Sequence, residues 1–290
     1  MRALPRSRGL KLATPAAARK GYPSRIVCLT EETTEILYRL GAGDLVVGVS
    51  GYTVRPPEAR QKPRVSSFLS ADYDKVQALS PDIVFAFSDL QADISRELVK
   101  RGVQVFTFNQ RSLAQILTTV RVVGSIVGYH QEAEELAAEL ESNVARVRWQ
   151  ASLLPRRPRV FFEEWDEPLI SGICWVSELV EIAGGEDCFA ELRHEQGAKG
   201  RIVEPAEVVF RNPEVIVGSW CGKKFRPEDV VTRPGFDEVR AVLDGRLHEV
   251  KSSVILQPGP AALTSGLSEL HRVIAAAAKG EPPPAPRVSR

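Results

Sequence analysis

The sequence predicts an α/β protein of two lobes, each a mostly parallel sheet with flanking helices, joined by one long rigid interdomain helix. Three observations carry this expectation. Short continuous apolar runs alternate with amphipathic helical stretches, the order that builds parallel sheets buried on both faces. One long helical pattern, 129–153, separates two such successions. A segment of the first half is also echoed in the second.

In the first half, Ile26-Val27-Cys28-Leu29 reads as a strand, followed by a helix capped at Thr30 and running to Leu40, with acids in its first turn. Gly41 and Gly43 stop it, and 45–50 is the next strand. A short helix over 72–79 breaks at Ser80-Pro81 before an apolar strand over 82–87. A helix over 91–101, a strand over 103–108 and a helix over 112–127 complete the lobe. The long helix places Ala133, Leu136, Leu140, Val144, Val147 and Ala151 at spacings of three and four, with acids early and Arg146 and Arg148 late. The second half repeats the scheme. Strands are expected at 159–162, 214–217 and 246–250, with helices at 174–183 and 263–278. The implied divisions are a disordered basic lead 1–23, an N-terminal lobe 24–128, the interdomain helix 129–155, a C-terminal lobe 156–280 and a disordered proline-rich tail 281–290.

The echo aligns Val76-Gln77-Ala78-Leu79-Ser80-Pro81-Asp82-Ile83-Val84 with Val208-Val209-Phe210-Arg211-Asn212-Pro213-Glu214-Val215-Ile216. Each run is a short helix, a polar residue, a proline, an acid and a buried strand.

Composition excludes several classes. The 290 residues are 43% hydrophobic and 26% charged with a net charge of +1, which gives no electrostatic case for nucleic acid or an anionic membrane. No apolar run approaches the roughly 20 residues of a membrane span. The four cysteines are scattered without CxxC spacing and fit reduced thiols; the four histidines are equally dispersed, so no metal site is expected. No GxSxG, Gly-rich phosphate loop or HExxH is present, so no catalytic residue is assigned.

The first 25 residues carry seven Arg or Lys and no acid, and Leu10 to Ala18, the nearest approach to a signal-peptide apolar core, is interrupted by Lys11, Thr14 and Pro15. The expected location is therefore cytoplasmic, with a periplasmic or organellar location as the alternative. A monomer is expected.

Ligands of open α/β sheets sit at the carboxyl ends of strands. Those ends hold Ser50-Gly51-Tyr52, Phe87-Ser88-Asp89, Glu163-Glu164-Trp165-Asp166-Glu167 and Ser219-Trp220-Cys221. Tyr52, Trp165 and Trp220 are expected to face a cleft, because aromatics bury flat ligands at modest entropic cost. Four acids around Trp165 would suit a cationic or amide-rich ligand, general acid–base chemistry, a hard cation, or simply a solvated loop with a salt-bridged acid. If the strand persists, Glu163 and Glu164 point to opposite sides and only one reaches the cleft. Backbone amides at Ser171-Gly172 could contact a ligand.

Taken together, the opening strand with 30–35, Val46-Val47-Gly48-Val49-Ser50 with Tyr52 and Pro56-Pro57, the unit 63–87, Ser171-Gly172, Ala183-Gly184-Gly185 with Phe189, and Asn212-Pro213-Glu214 resemble a known family. It is the ABC-transporter solute-binding proteins that handle cobalamin, ferric siderophores and haem, and the resemblance covers roughly 24–278. It implies two lobes joined by a rigid helix and, within the family, is strongest to the cobalamin binders. Tyr52, Phe68 and Phe87 then fall where those proteins place aromatics around the corrinoid. An aromatic expected near Gly200 and a basic residue expected where Ala261 and Ala262 stand are absent. The resemblance also implies a permease-docking acid on each lobe. The first matches Asp74; the second-lobe equivalent is Ala206, with Glu204 and Glu207 nearby. The expected function is reversible binding of a corrinoid or similar planar ligand, uncoupled from a permease and without a further cofactor. The alternatives are a ferric siderophore or haem binder, or an enzyme, a hydrolase or nucleobase-handling protein, using the acidic cluster 163–167.

Overall fold

The computed structural model describes residues 19–285, so most of the expected basic lead and the last five residues of the tail lie outside it. Two five-stranded sheets form the frame. In the first lobe the elements are β1 (Ile26–Cys28), α1 (Glu31–Arg39), β2 (Val46–Ser50), β3 (Arg64–Ser66), α2 (Tyr73–Ala78), β4 (Ile83–Phe87), α3 (Ala92–Lys100), β5 (Val105–Phe108) and α4 (Leu113–Val127). The sheet order is β3-β2-β1-β4-β5, with every pair parallel. Apolar strands such as β4, buried at all five positions, are what a sheet covered on both faces requires.

Next comes α5 (His130–Ser152), 23 residues and about 35 Å long. It packs on α4 so closely that a Cβ at Gly124 would lie 2.2 Å from that of Ala133. The second lobe follows with β6 (Arg159–Asp166), β7 (Leu169–Ser171), α6 (Cys174–Ile182), β8 (Glu186–Asp187), α7 (Pro205–Arg211), β9 (Val215–Gly218), α8 (Pro227–Val231), α9 (Arg240–Leu243), β10 (Leu247–Glu249), α10 (Ser252–Ile255) and α11 (Leu267–Ala278). The order β10-β9-β6-β7 is parallel except for β7, which turns back on β6; β8 pairs with the start of β6.

The echo in sequence is an echo in structure. Ser80 and Asn212 both adopt φ of 45°, each after its short helix and before a proline. Asp82 then accepts from the Arg25 amide at 2.9 Å and Glu214 from the Arg159 amide at 3.1 Å, each tying its strand to the lobe's first strand. β4 runs parallel to β1 as β9 does to β6.

One core runs through both lobes. It joins Ile26, Phe85 and Val120 to Leu140 and Val147 of α5, and on to Phe162, Val215 and Leu270. A smaller second-lobe core holds Phe161, Trp220 and Phe236. Direct ties across the lobes include the Leu113 amide donating to Glu178 at 2.6 Å, Gln110 to the Pro258 carbonyl at 3.2 Å, and the Ala261 amide to Glu35 at 3.2 Å. The helix is therefore built into the core along its length, which is the physical basis of a rigid connection.

Three details differ from the sequence reading. Thr30 precedes α1 without a side-chain cap, because its hydroxyl donates to Glu32 at 2.5 Å instead. β6 continues through Asp166, four residues beyond the expected end. Arg19 and Tyr22, assigned to a disordered lead, are placed on the α4–α5 corner: the Arg19 guanidinium lies 4.1 Å from the Tyr129 ring centre and pairs with Glu132.

Candidate functional site

The carboxyl ends of the two sheets face one another. Arg111, just past β5, lies near enough to Arg201 and Glu164 of the second lobe to feel their charges. Burial pulls its pKa down, Arg201 adds to the fall, and Asp89 and Glu164 oppose it. Cys221, just past β9, likewise senses Glu164 and, from the first lobe, Glu31; burial is the main reason its thiol is pushed up. Glu31, Asp89 and Arg111 of the first lobe thus lie close to Glu164, Arg201 and Cys221 of the second.

The acids of 163–167 are almost wholly engaged. Glu163 has no exposed side-chain surface and holds Arg233 in a two-armed ion pair at 2.7 and 2.7 Å; it also accepts from Trp220 Nε1 at 2.8 Å. Glu164 points the other way, as strand alternation requires. It accepts from Arg201 at 2.7 and 3.1 Å and from the Ile173 amide at 3.1 Å. Asp166 pairs with Lys223 at 2.6 Å. Fork-to-carboxylate pairs of this kind cancel the cluster's charge and fix its geometry. Of the alternatives for this cluster, acid–base chemistry and a hard cation lose ground and the salt-bridged reading gains: each of the three has a cation against it. Glu167 stays exposed, and its carbonyl receives Trp165 Nε1 at 2.9 Å.

The aromatic expectations divide. Tyr52 is 54% exposed at the carboxyl end of β2, and Phe68, past β3, is half-buried. Trp165 is half-buried, with Lys223 Nζ 4.7 Å from its ring centre. These three can meet a ligand. Phe87 does not present a free face: it is 5% exposed, in the core, with Arg111 stacked 5.4 Å above its ring. Trp220 is also a correction. It is 2% exposed, packs edge-on to Phe225 at 5.0 Å, and spends its indole N–H on Glu163. Gly172 is buried for packing: a Cβ there would sit 3.3 Å from both Phe162 and Val176, and the following amide is taken by Glu164. Asp74 is on the surface, its carboxylate 2.8 Å from Arg101.

Sequence reasoning missed Arg111, Arg201 and Glu31. Arg111 follows a strand end like the residues that were singled out, so its position was the available signal. Arg201 adjoins Gly200, the place of the missing aromatic, and is 1% exposed. Nothing local marks it, because its partners are contributed by β6 and β7. Glu31 opens α1 beside Glu32 and Glu35. Burial, with those two carboxyls adding, pushes it up to about 8, and burial pushes Glu32 up to about 7. Near neutrality Glu31 is therefore largely a protonated carboxyl, able to donate a hydrogen bond as well as accept one.

The model of the periplasmic binding protein family matches residues 26–254. An uncharacterized ABC transporter substrate-binding lipoprotein of Bacillus subtilis is 26% identical over 264 residues, 88% of this chain and 81% of its own. A vitamin B12-binding protein of Yersinia pestis is 28% identical over 221 residues, covering 74% of this chain and 76% of its own. Among solved structures, a periplasmic heme-binding protein from Pseudomonas aeruginosa superposes with a TM-score of 0.77 at 21% identity, over 91% of this chain and 96% of that one. The superposition covers both lobes and the helix between them, so the two-lobed α/β fold is shared with that structure. The chain belongs to the periplasmic binding protein family, as a solute-binding protein of the cobalamin, siderophore and haem class.

Proposed function

We propose that the protein binds a corrinoid, or a planar ligand of similar bulk, between its lobes and releases it unchanged. The observation that carries this reading is the placement of accessible aromatics at strand ends of both lobes, Tyr52 and Phe68 on one and Trp165 on the other. Flat rings of this kind cover a planar ligand with little loss of side-chain freedom. Two further features favour an amide-rich periphery over a polyanionic one. Glu31 offers a largely uncharged carboxyl, and Arg201 is already committed to Glu164. The vitamin B12-binding relatives support the same choice.

We infer in addition that the protein works in the cytoplasm without a permease. Asp74 stays exposed beside Arg101, but the second lobe has Ala206 at the equivalent position, with Glu207 paired to Arg211 at 2.8 Å and Glu204 exposed half a turn earlier. Native mass spectrometry of the protein from a corrinoid-producing host tests the ligand: a mass increment of a corrinoid supports the reading, and a haem or siderophore increment overturns it. Fractionation that places the protein outside the cytoplasm would refute the second inference.

A further inference from the structure

At the pole of the second lobe farthest from the interlobe space, a cavity of about 670 Å³ opens at the amino ends of β6 and β10 beside the end of α11. Its volume lies in the range of small-molecule sites. Four guanidiniums line it, those of Arg156, Arg159, Arg240 and Arg246, against the carboxylates of Glu214 and Asp244. The Glu281 side chain, also at the rim, lies 3.9 Å from Lys279.

The local charges do not cancel. Glu214 is occupied by Arg156 at 2.5 Å and by the Arg159 amide, and Asp244 by Arg240 at 2.8 Å. The Arg159 side chain makes no hydrogen bond or ion pair among the described residues, although the residue is exposed on the cavity wall. Arg246 is the more telling case. Only 10% of its side chain is exposed, its Nη2 donates to the Glu281 carbonyl at 2.8 Å, and its Nε is 3.8 Å from an Asp244 already held by Arg240. Its Nη1 is buried with no partner. An unmatched donor on a permanent cation is costly, and a bound water or an ion answers it; Arg111, Arg193 and Arg201 each bury an Nε in the same state.

From this geometry we propose that the cavity is a second binding site, for the phosphate group of a small phosphorylated molecule. Arg159 and Arg246 flank Glu214 from β6 and β10, two strands apart, which is roughly 10 Å across a sheet. Two arginine side chains can converge over that span on one anion. A guanidinium fork matches phosphate oxygens two at a time, and a dianion answers the two cations that lack a full partner. The site is independent of whatever occupies the interlobe space.

The test is thermal unfolding of the whole protein in rising inorganic phosphate and then in adenosine monophosphate, with ionic strength held constant by chloride. A ligand that binds only the folded state raises the midpoint with its concentration. Wild type should show that rise for phosphate and a larger one for the monophosphate. Arg159→Ala removes a side chain with no partner, so it should unfold as wild type does without ligand and need at least tenfold more phosphate for the same shift. Arg246→Lys keeps the charge but loses the fork and should weaken the response while remaining folded. A wild-type shift no larger than the chloride control overturns the proposal. So does an undiminished response in Arg159→Ala, or an acetate effect equal to that of phosphate.

Discussion

Replacing Arg233 by Met tests whether the acidic strand end is structural. The guanidinium holds the two oxygens of Glu163, a carboxylate with no exposed surface, whose other partner is the Trp220 indole N–H. Removing one member of a buried, hydrogen-bonded pair leaves a charge that neither water nor protein compensates, and costs about 3–5 kcal/mol. Glu163→Leu together with Arg233→Met removes both charges and strands only the indole N–H, a loss of roughly 1–3 kcal/mol. The double variant should therefore be more stable than Arg233→Met alone. Urea unfolding followed by tryptophan fluorescence measures the series. A cost below about 1 kcal/mol for Arg233→Met would refute the reasoning, since Glu163 would then be hydrated and available for chemistry.

Three further outcomes follow from the same geometry. Tyr52→Ala should weaken corrinoid binding with little change in unfolding midpoint, whereas Phe87→Ala should cost about 3–5 kcal/mol, as core aromatics do; calorimetric titration and urea unfolding separate the two. Glu31 and Glu32, at about 8 and about 7 when folded, keep their protons in the folded state at pH values where the unfolded chain has lost them. Stability contributed by these two carboxyls should therefore fall as pH rises from about 4.5 to about 8, and Glu31→Gln should reduce that slope in urea unfolding. His248, lowered to about 4 chiefly by burial, acts in the opposite sense below about 6.5, where the unfolded chain takes up a proton that the fold excludes. Small-angle scattering with and without corrinoid should give nearly equal radii of gyration, because α5 is packed into one core with both lobes; a large compaction on binding would contradict that.

Much of the frame was legible because its cues are local. Ser112 begins α4 with a full capping box to Gln115, and Asp72 caps α2 by accepting from the Lys75 amide, both visible as residue types at fixed spacing. The Ser80-Pro81 and Asn212-Pro213 pair announced the repeat, since a helix end and a proline constrain the backbone whatever surrounds them. The second lobe was less legible where pairing is distant. Four acids around a tryptophan read as a solvated loop. Three of them, Glu163, Glu164 and Asp166, lie on β6, where Arg233 and Arg201, 70 and 37 positions away from their partners, pair with the first two. Trp220 looked like a cleft aromatic because it follows a strand end; its burial depends on Glu163 and Phe225, which nothing adjacent in sequence reveals. Arg111 carried the strand-end signal in its position, but its role is set by Phe87 below it and Arg201 opposite.

The central claim, a ligand held by both lobes at their strand ends, is tested most directly by hydrogen exchange with and without cyanocobalamin. Binding should protect amides near 51–53 and 110–113 in the first lobe and near 164–173 in the second, together and at the same ligand concentration. Protection confined to one lobe, or none at saturating ligand, would contradict it.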